Sequence, residues 1–301
     1  MRLRPIHKLL HKKLRIPQHT VRPVLGGLRR LGRRAEHARR VALARELEGS
    51  SPHAGRIPRE LGYRFFQAGD YPQVTAAVAR CREIFERWNG AATGATFDRK
   101  ADFIQVVAYG EELTSQREIL ALMLSRPIVD AAAVYLGAVP RLVHVSLTLS
   151  PINDTARSSQ LFHADDEDES VMKVFVNVAE VTPDAGPLTF LPADVSERVQ
   201  QKTGPIIKRA TDEQVLSAAD GVQPLTVCGA PGDGAFVDTA RCLHYGSRGN
   251  RRDRLILDFM FMRDDAPSEV PVPLSLPDDL AGLTPDPVQR LVLGLPEVPP
   301  S

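Results

Sequence analysis

The sequence predicts an α+β chain with a mainly β core, in which helices come first and cover one face of a barrel or sandwich. Three observations carry this prediction. Apolar residues recur at helical intervals up to about residue 136, and short β-branched or alternating runs separated by Pro, Gly and Asp take over from Arg141. The third is size: 301 residues with 43% hydrophobic and 25% charged content hold enough apolar material for a substantial core.

The same figures exclude a disulfide mini-protein and a chain disordered throughout. No apolar run approaches the roughly 18 residues that would suggest a membrane span. Cys81, Cys228 and Cys242 are scattered and form no zinc pattern. They fit a reducing compartment, so a cytoplasmic location is expected.

Charge divides the chain. Residues 1–45 carry 14 of the 38 Lys and Arg and one acid, Glu36, which leaves 24 basic and 36 acidic groups for the remainder. Arg29-Arg30, Arg33-Arg34 and Arg39-Arg40 recur around Leu25, Leu28, Leu31 and Val41 as in a basic amphipathic helix. A helix packed on the body with a solvated face explains this pattern. Nucleic acid or an anionic surface is the less favoured partner.

The elements follow in order. Residues 1–50 are a basic helical extension ending at Gly49-Ser50-Ser51-Pro52. Val74, Ala77, Val78, Cys81, Ile84 and Phe85 mark a helix within Tyr71 to Trp88, and Leu113 to Leu136 is helical around Pro127. The helical part, 51–138, and a strand core, 139–266, form a single domain. Predicted strands are 142–149, 160–163, 171–178, 188–191, 223–227, 235–237 and 254–262, with a short helix at 212–219. Residues 267–301 hold 9 of the 24 prolines, which predicts an extended arm because proline removes backbone donors.

Alternation in the last strand separates Leu255, Leu257, Phe259 and Phe261 from Arg254, Ile256, Asp258 and Met260. One face is apolar and the other mixed, as a ligand-holding barrel requires.

The chemistry-bearing residues lie in this core. In Gln160-Leu161-Phe162-His163-Ala164-Asp165, an imidazole and a carboxylate two positions apart can project to one side of an extended segment, and His244 follows 81 residues after His163. Two His and one carboxylate leave neighbouring positions open on a six-coordinate non-haem Fe(II), although a catalytic zinc accepts the same set. Arg254 lies on the mixed face and offers a planar fork for a carboxylate, with Arg252 as the runner-up of the same parity. Asp166 to Glu169 read as a solvated loop, and His144 as a satisfied structural histidine.

Residues 140–262 resemble the phytanoyl-CoA dioxygenase-like branch of the Fe(II)- and 2-oxoglutarate-dependent oxygenases. The resemblance rests on Gln-x-x-His-x-Asp at 160–165, the apolar strand at 171–178, Gly186-Pro187-Leu188 leading to Leu191-Pro192, Gly232-Asp233, and His244 followed by Arg254. It implies a double-stranded β-helix (jelly-roll, cupin-like) core flanked by helices. It further implies His163, Asp165 and His244 as iron ligands, Arg254 on the distal carboxylate of 2-oxoglutarate, and Gln160 lining the co-substrate or substrate side. The implied reaction consumes dioxygen, decarboxylates 2-oxoglutarate to succinate and usually hydroxylates a small organic molecule. Two departures stand out: Pro192-Ala193-Asp194-Val195 replaces Pro-Gly-Ser-His, and His244-Tyr245-Gly246 replaces His-Gly. Tyr245 would either crowd the imidazole or point outward. The alternatives to an enzyme are a jelly-roll metal-binding or sensory module without turnover, and a basic adaptor acting through residues 1–45.

Overall fold

Strand β9 (Arg254–Met262) is buried along its whole length, because one face meets helices and the other a cavity. The computed structural model describes residues 34–52, 56–88, 102–204, 206, 209–266 and 286–295. Around β9 they build a six-stranded antiparallel sheet from β1 (Tyr63–Phe66), β2 (Gln105–Tyr109), β3 (Arg141–Ser150), β4 (Met172–Asn177), β7 (Gly234–Asp238) and β9, in the order β1-β7-β4-β9-β3-β2. A smaller antiparallel sheet, β6-β5-β8, contains β5 (Thr189–Phe190), β6 (Leu225–Thr226) and β8 (His244–Tyr245). Together the sheets form the jelly-roll core.

Helices cover the apolar face of the larger sheet. Helix α2 (Val74–Trp88) buries Val74, Ala77, Val78, Cys81 and Ile84 at the predicted spacing. After the one-turn α3 (Glu111–Thr114), α4 (Arg117–Met123) and α5 (Arg126–Leu136) fill the next predicted segment. Pro127 lies in the first turn of α5, where its missing N–H is not needed, and Gly137 closes the helix in a left-handed conformation. No single helix among the described residues is long and apolar enough to cross a membrane. The bent α4–α5 pair passes by length and composition, and most of its residues are buried.

Two expectations about organisation fail. Strands β1 and β2 come from the segment expected to be helical, yet they form the two edges of the main sheet. Both are short, at 4 and 5 residues, and neither alternates cleanly in burial. The second concerns the proline-rich arm. Within it, Pro287–Leu293 is helix α8, not extended chain; proline occupies its first turn, and Asp286 and Gln289 form a reciprocal capping box. Residues 267–285 and 296–301 lie outside the described residues.

Helix α1 (Arg34–Ser50) is the described part of the basic extension; residues 1–33, including Leu25, Leu28 and Leu31, are outside it. The helix packs through Arg40, Ala44 and Leu47. The buried Arg40 guanidinium donates to the carbonyls of Val139 at 3.0 Å, Pro140 at 3.3 Å and Leu291 at 3.0 Å, and pairs with Glu36 at 2.8 Å. Helices α6 (Ala193–Thr203) and α7 (Asp212–Leu216) pack around the smaller sheet. Sequence periodicity does not reveal α6, whose packed face offers little beyond Val195 and Val199. It begins directly after Pro192, at the first of the two departures from the family pattern.

Candidate metal centre

Residues 162 and 163 lie outside the named strands but pair across the core. His163 and His244 exchange both backbone hydrogen bonds, His163 N–H to His244 O at 3.0 Å and His244 N–H to His163 O at 2.8 Å. This bridge joins positions 81 residues apart and puts the imidazole centroids 4.2 Å from each other. The Asp165 N–H donates to Thr239 O at 2.8 Å, which brings the carboxylate to the same place. One ligand atom from each of His163, Asp165 and His244 then lies within 4.8 Å of the other two.

The rings are fixed for coordination. His163 Nδ1 donates to Leu161 O at 2.9 Å and His244 Nδ1 to Cys242 O at 2.9 Å. A carbonyl only accepts, so the proton is on Nδ1 and each Nε2 keeps its lone pair. Burial, reinforced by the neighbouring His244, pushes the His163 pKa down to about 2, and burial also lowers that of His244. Asp165 has the opposite problem. Burial would raise its carboxyl, but the Lys173 ammonium, with Nζ 2.6 Å from Oδ2, leads the contacts that hold it well below the usual range. Two neutral imidazoles and one carboxylate are a donor set suited to a divalent transition metal.

The triad opens into a cavity of about 620 Å³. Its walls come from β3 (His144, Ser146, Thr148), β4 (Lys173, Phe175) and β9 (Arg254, Ile256, Asp258), with Ile104, Val106 and Leu188 adding apolar surface. Arg254 is buried at one end. Nη2 donates to Ser247 Oγ at 2.8 Å and Ser150 Oγ at 3.2 Å, whereas Nε has no hydrogen-bond partner among the described residues. Burial lowers the Arg254 pKa to about 10, with Asp258 opposing the shift. A guanidinium with a spare buried donor fits a carboxylate entering the cavity.

The other predicted residues fall elsewhere. Arg252 is largely exposed and pairs with Asp184 at 3.2 Å, so it does not compete with Arg254. Gln160 is buried, but the expectation that it lines the ligand side is corrected. Its amide donates to Asn153 Oδ1 at 3.0 Å and Ser247 O at 2.6 Å and accepts from Thr155 Oγ1 at 3.0 Å and the Arg157 N–H at 2.9 Å, which occupies all four sites. Its link to the cavity is indirect. It clamps Ser247, held at a left-handed φ of 60°, and Ser247 in turn holds Arg254.

Tyr245 points outward, its ring 4.8 Å edge-on from Phe162 and covered by the Arg248 guanidinium at 3.5 Å. The acidic run is only partly solvated, because Asp168 is buried 3.8 Å from Arg263 and burial raises the pKa of Glu167. A second group of candidate ligands, His37, Asp264 and Asp265, joins α1 to the end of β9. There Arg263 faces Asp265 at 3.2 Å and His37 lies 3.0 Å from Asp264, so each carboxylate already has a basic neighbour.

Sequence reasoning missed Lys173 and assigned no role to Asp258 or Ser146. The signal for Lys173 was a lone charge inside the apolar run Met172–Asn177, on the parity opposite Met172, Val174 and Val176.

No family model matches the sequence, and no curated protein matches it. Solved structures do. The chain is similar to the non-heme alpha-ketoglutarate-dependent carbocyclase SnoK from nogalamycin biosynthesis, at 21% identity and a TM-score of 0.52, covering 84% of this chain and 96% of that one. EctD from S. alaskensis in its apo form has a TM-score of 0.52 at 18% identity, covering 77% of this chain and 82% of EctD. The epimerase SnoN, solved with Fe3+, alpha-ketoglutarate and nogalamycin RO, has a TM-score of 0.50 at 18% identity over 82% and 93%. These likenesses establish a shared fold.

Proposed function

We propose that the protein is an Fe(II)- and 2-oxoglutarate-dependent dioxygenase that hydroxylates a small organic substrate. The observation that carries this is the coexistence, in one cavity, of the His163–Asp165–His244 set and the buried Arg254 with a donor to spare. The cofactors seen with SnoN support the same reading, as do the motifs at 160–165 and 232–254, which favour the phytanoyl-CoA dioxygenase-like branch.

Bound iron and 2-oxoglutarate would supply dioxygen activation, with decarboxylation of the co-substrate to succinate. The chain's own residues do the positioning. His163 and His244 offer Nε2 and Asp165 offers Oδ1, while Lys173 engages Oδ2 and so favours coordination through a single oxygen. Arg254 would hold the distal carboxylate, with Ser150 and Ser247 anchoring the guanidinium through Nη2. Ile256, Phe175 and Leu188 add apolar surface to the cavity wall.

Anaerobic titration with Fe(II) and 2-oxoglutarate tests the proposal. A weak visible charge-transfer band should appear in wild type and vanish in His163→Ala. Folded, iron-loaded protein without the band would overturn the assignment and favour a binding module.

A further inference from the structure

The end of the cavity away from Arg254 carries a second polar group that the metal-centre reading does not use. Asp258, four residues beyond Arg254 on the same face of β9, accepts a hydrogen bond from Ser146 Oγ at 2.5 Å and lies 3.3 Å from His144 Nε2. Four residues of strand set their Cα atoms roughly 13 Å apart, so Asp258 stands further along the cavity wall, although its charge still acts on Arg254. Burial would raise its pKa, but the contacts with His144, Lys173 and Ser146 hold it low, and it remains an anion.

Lys173 stands beside it. Phe175 is registered opposite Asp258, and Lys173 opposite Met260, so Lys173 and Asp258 are diagonal neighbours on adjacent strands. At that separation each charge acts on the other. The Lys173 ammonium has three donors and Asp165 takes one of them. The cavity wall therefore presents an anionic acceptor and a cationic donor side by side, framed by apolar surface.

We infer that Asp258 and Lys173, braced by His144 and Ser146, form a substrate subsite for a neutral hydroxyl group carried on an apolar framework. A hydroxyl donates and accepts at once, so it satisfies both residues. An ammonium would face Lys173, a carboxylate would face Asp258, and a plain hydrocarbon would desolvate both charges without adding a hydrogen bond to either. The catalytic purpose of the subsite rests on the dioxygenase reading, because the anchored hydroxyl would set which C–H bond faces the metal. Asp258 and Lys173 are positioning residues in that scheme.

Three probes of one shape test the inference: 2-naphthylmethanol, (2-naphthylmethyl)ammonium and 2-methylnaphthalene. Each is titrated by fluorescence into metal-free protein and, anaerobically, into protein loaded with Fe(II) and 2-oxoglutarate. The alcohol should bind at least tenfold more tightly than either analogue, and Asp258→Asn should remove about tenfold while leaving the charge-transfer band unchanged. Lys173→Met, read on metal-free protein, provides an independent arm in which the ammonium probe should gain at least fivefold. Equal affinities for the three probes, or no binding of the alcohol, would overturn the subsite. So would an unchanged alcohol affinity in a folded Asp258→Asn. A normal band without preference for the alcohol removes only the subsite, whereas preference without a band removes only the dioxygenase reading.

Discussion

The two faces of β9 are equally hidden from water and chemically opposite. Leu255, Leu257, Phe259 and Phe261 join the main hydrophobic cluster against the helices, with Phe259 and Phe261 edge-to-face at 5.8 Å. Arg254, Ile256 and Asp258 line the cavity. The first face stabilises the fold through burial and packing. The second holds two charges in the interior, an arrangement that opposes folding unless ligands or neighbours answer those charges. Burial by itself therefore does not distinguish scaffold from site; the distinction lies in what the buried groups still lack.

The largest effect that would break this contrast is expected at the metal ligands. His163→Ala should weaken Fe(II) binding by roughly 100-fold or more, beyond the range usual for outer-shell residues, without lowering the denaturation midpoint of the metal-free protein. Equilibrium dialysis and a chemical melt measure the two halves. On the packing face the outcome should invert. Phe259→Ala is expected to destabilise the fold by about 3–5 kcal/mol through the cavity it leaves, while the protein that remains folded binds Fe(II) normally.

Arg254→Met sharpens the comparison, because it should move stability and binding in opposite directions. Removing an incompletely paired buried charge should stabilise the ligand-free protein by about 1 kcal/mol. Affinity for 2-oxoglutarate should fall by about 2–5 kcal/mol, as when a buried charge partner is deleted. Loss of both would mean that Arg254 is part of the scaffold.

Acidification should act on the two imidazoles of the metal site. Both site imidazoles are held below their ordinary values by burial, His163 at about 2. Below about pH 6.5 the unfolded chain takes up protons that the folded metal-free protein refuses, so stability falls with pH by up to about 1.4 kcal/mol per pH unit for each imidazole. Asp165, held low by Lys173 against the effect of burial, contributes stability that begins to be lost only below about pH 4. Denaturation midpoints between pH 4.5 and 6.5 should therefore slope less in a His163→Gln/His244→Gln double variant; an unchanged slope would show that other groups govern it. The smallest effect belongs to Arg252→Ala, which should leave 2-oxoglutarate affinity and melting temperature at wild-type values.

Much of this contrast was legible in the sequence, for physical reasons. Strict alternation in Arg254–Met262 reveals its two faces because a strand's side-chain period is two. His163, Asp165, His244 and Arg254 were legible as a spaced set of residue types. Gln160 misled because composition does not show whether an amide has already satisfied its four sites. Strands β1 and β2 were hidden because edge strands draw their order from a partner, β7 or β3, far away in sequence. Helix α8 was obscured by proline count; a first-turn proline promotes a helix that the same residue would break one turn later. Lys173 shows its purpose only when β4 and the 163–165 segment are brought together.

The buried guanidinium of Arg40 has a consequence for how local openings are coupled. It binds the Leu291 carbonyl in α8 and the Val139 carbonyl ahead of β3 from a single side chain on α1. An opening that frees either helix leaves that charge with fewer acceptors, so α1 and α8 should come loose as one cooperative unit. Native-state hydrogen exchange would then report matched protection in two helices some 240 residues apart in the chain, set by one arginine.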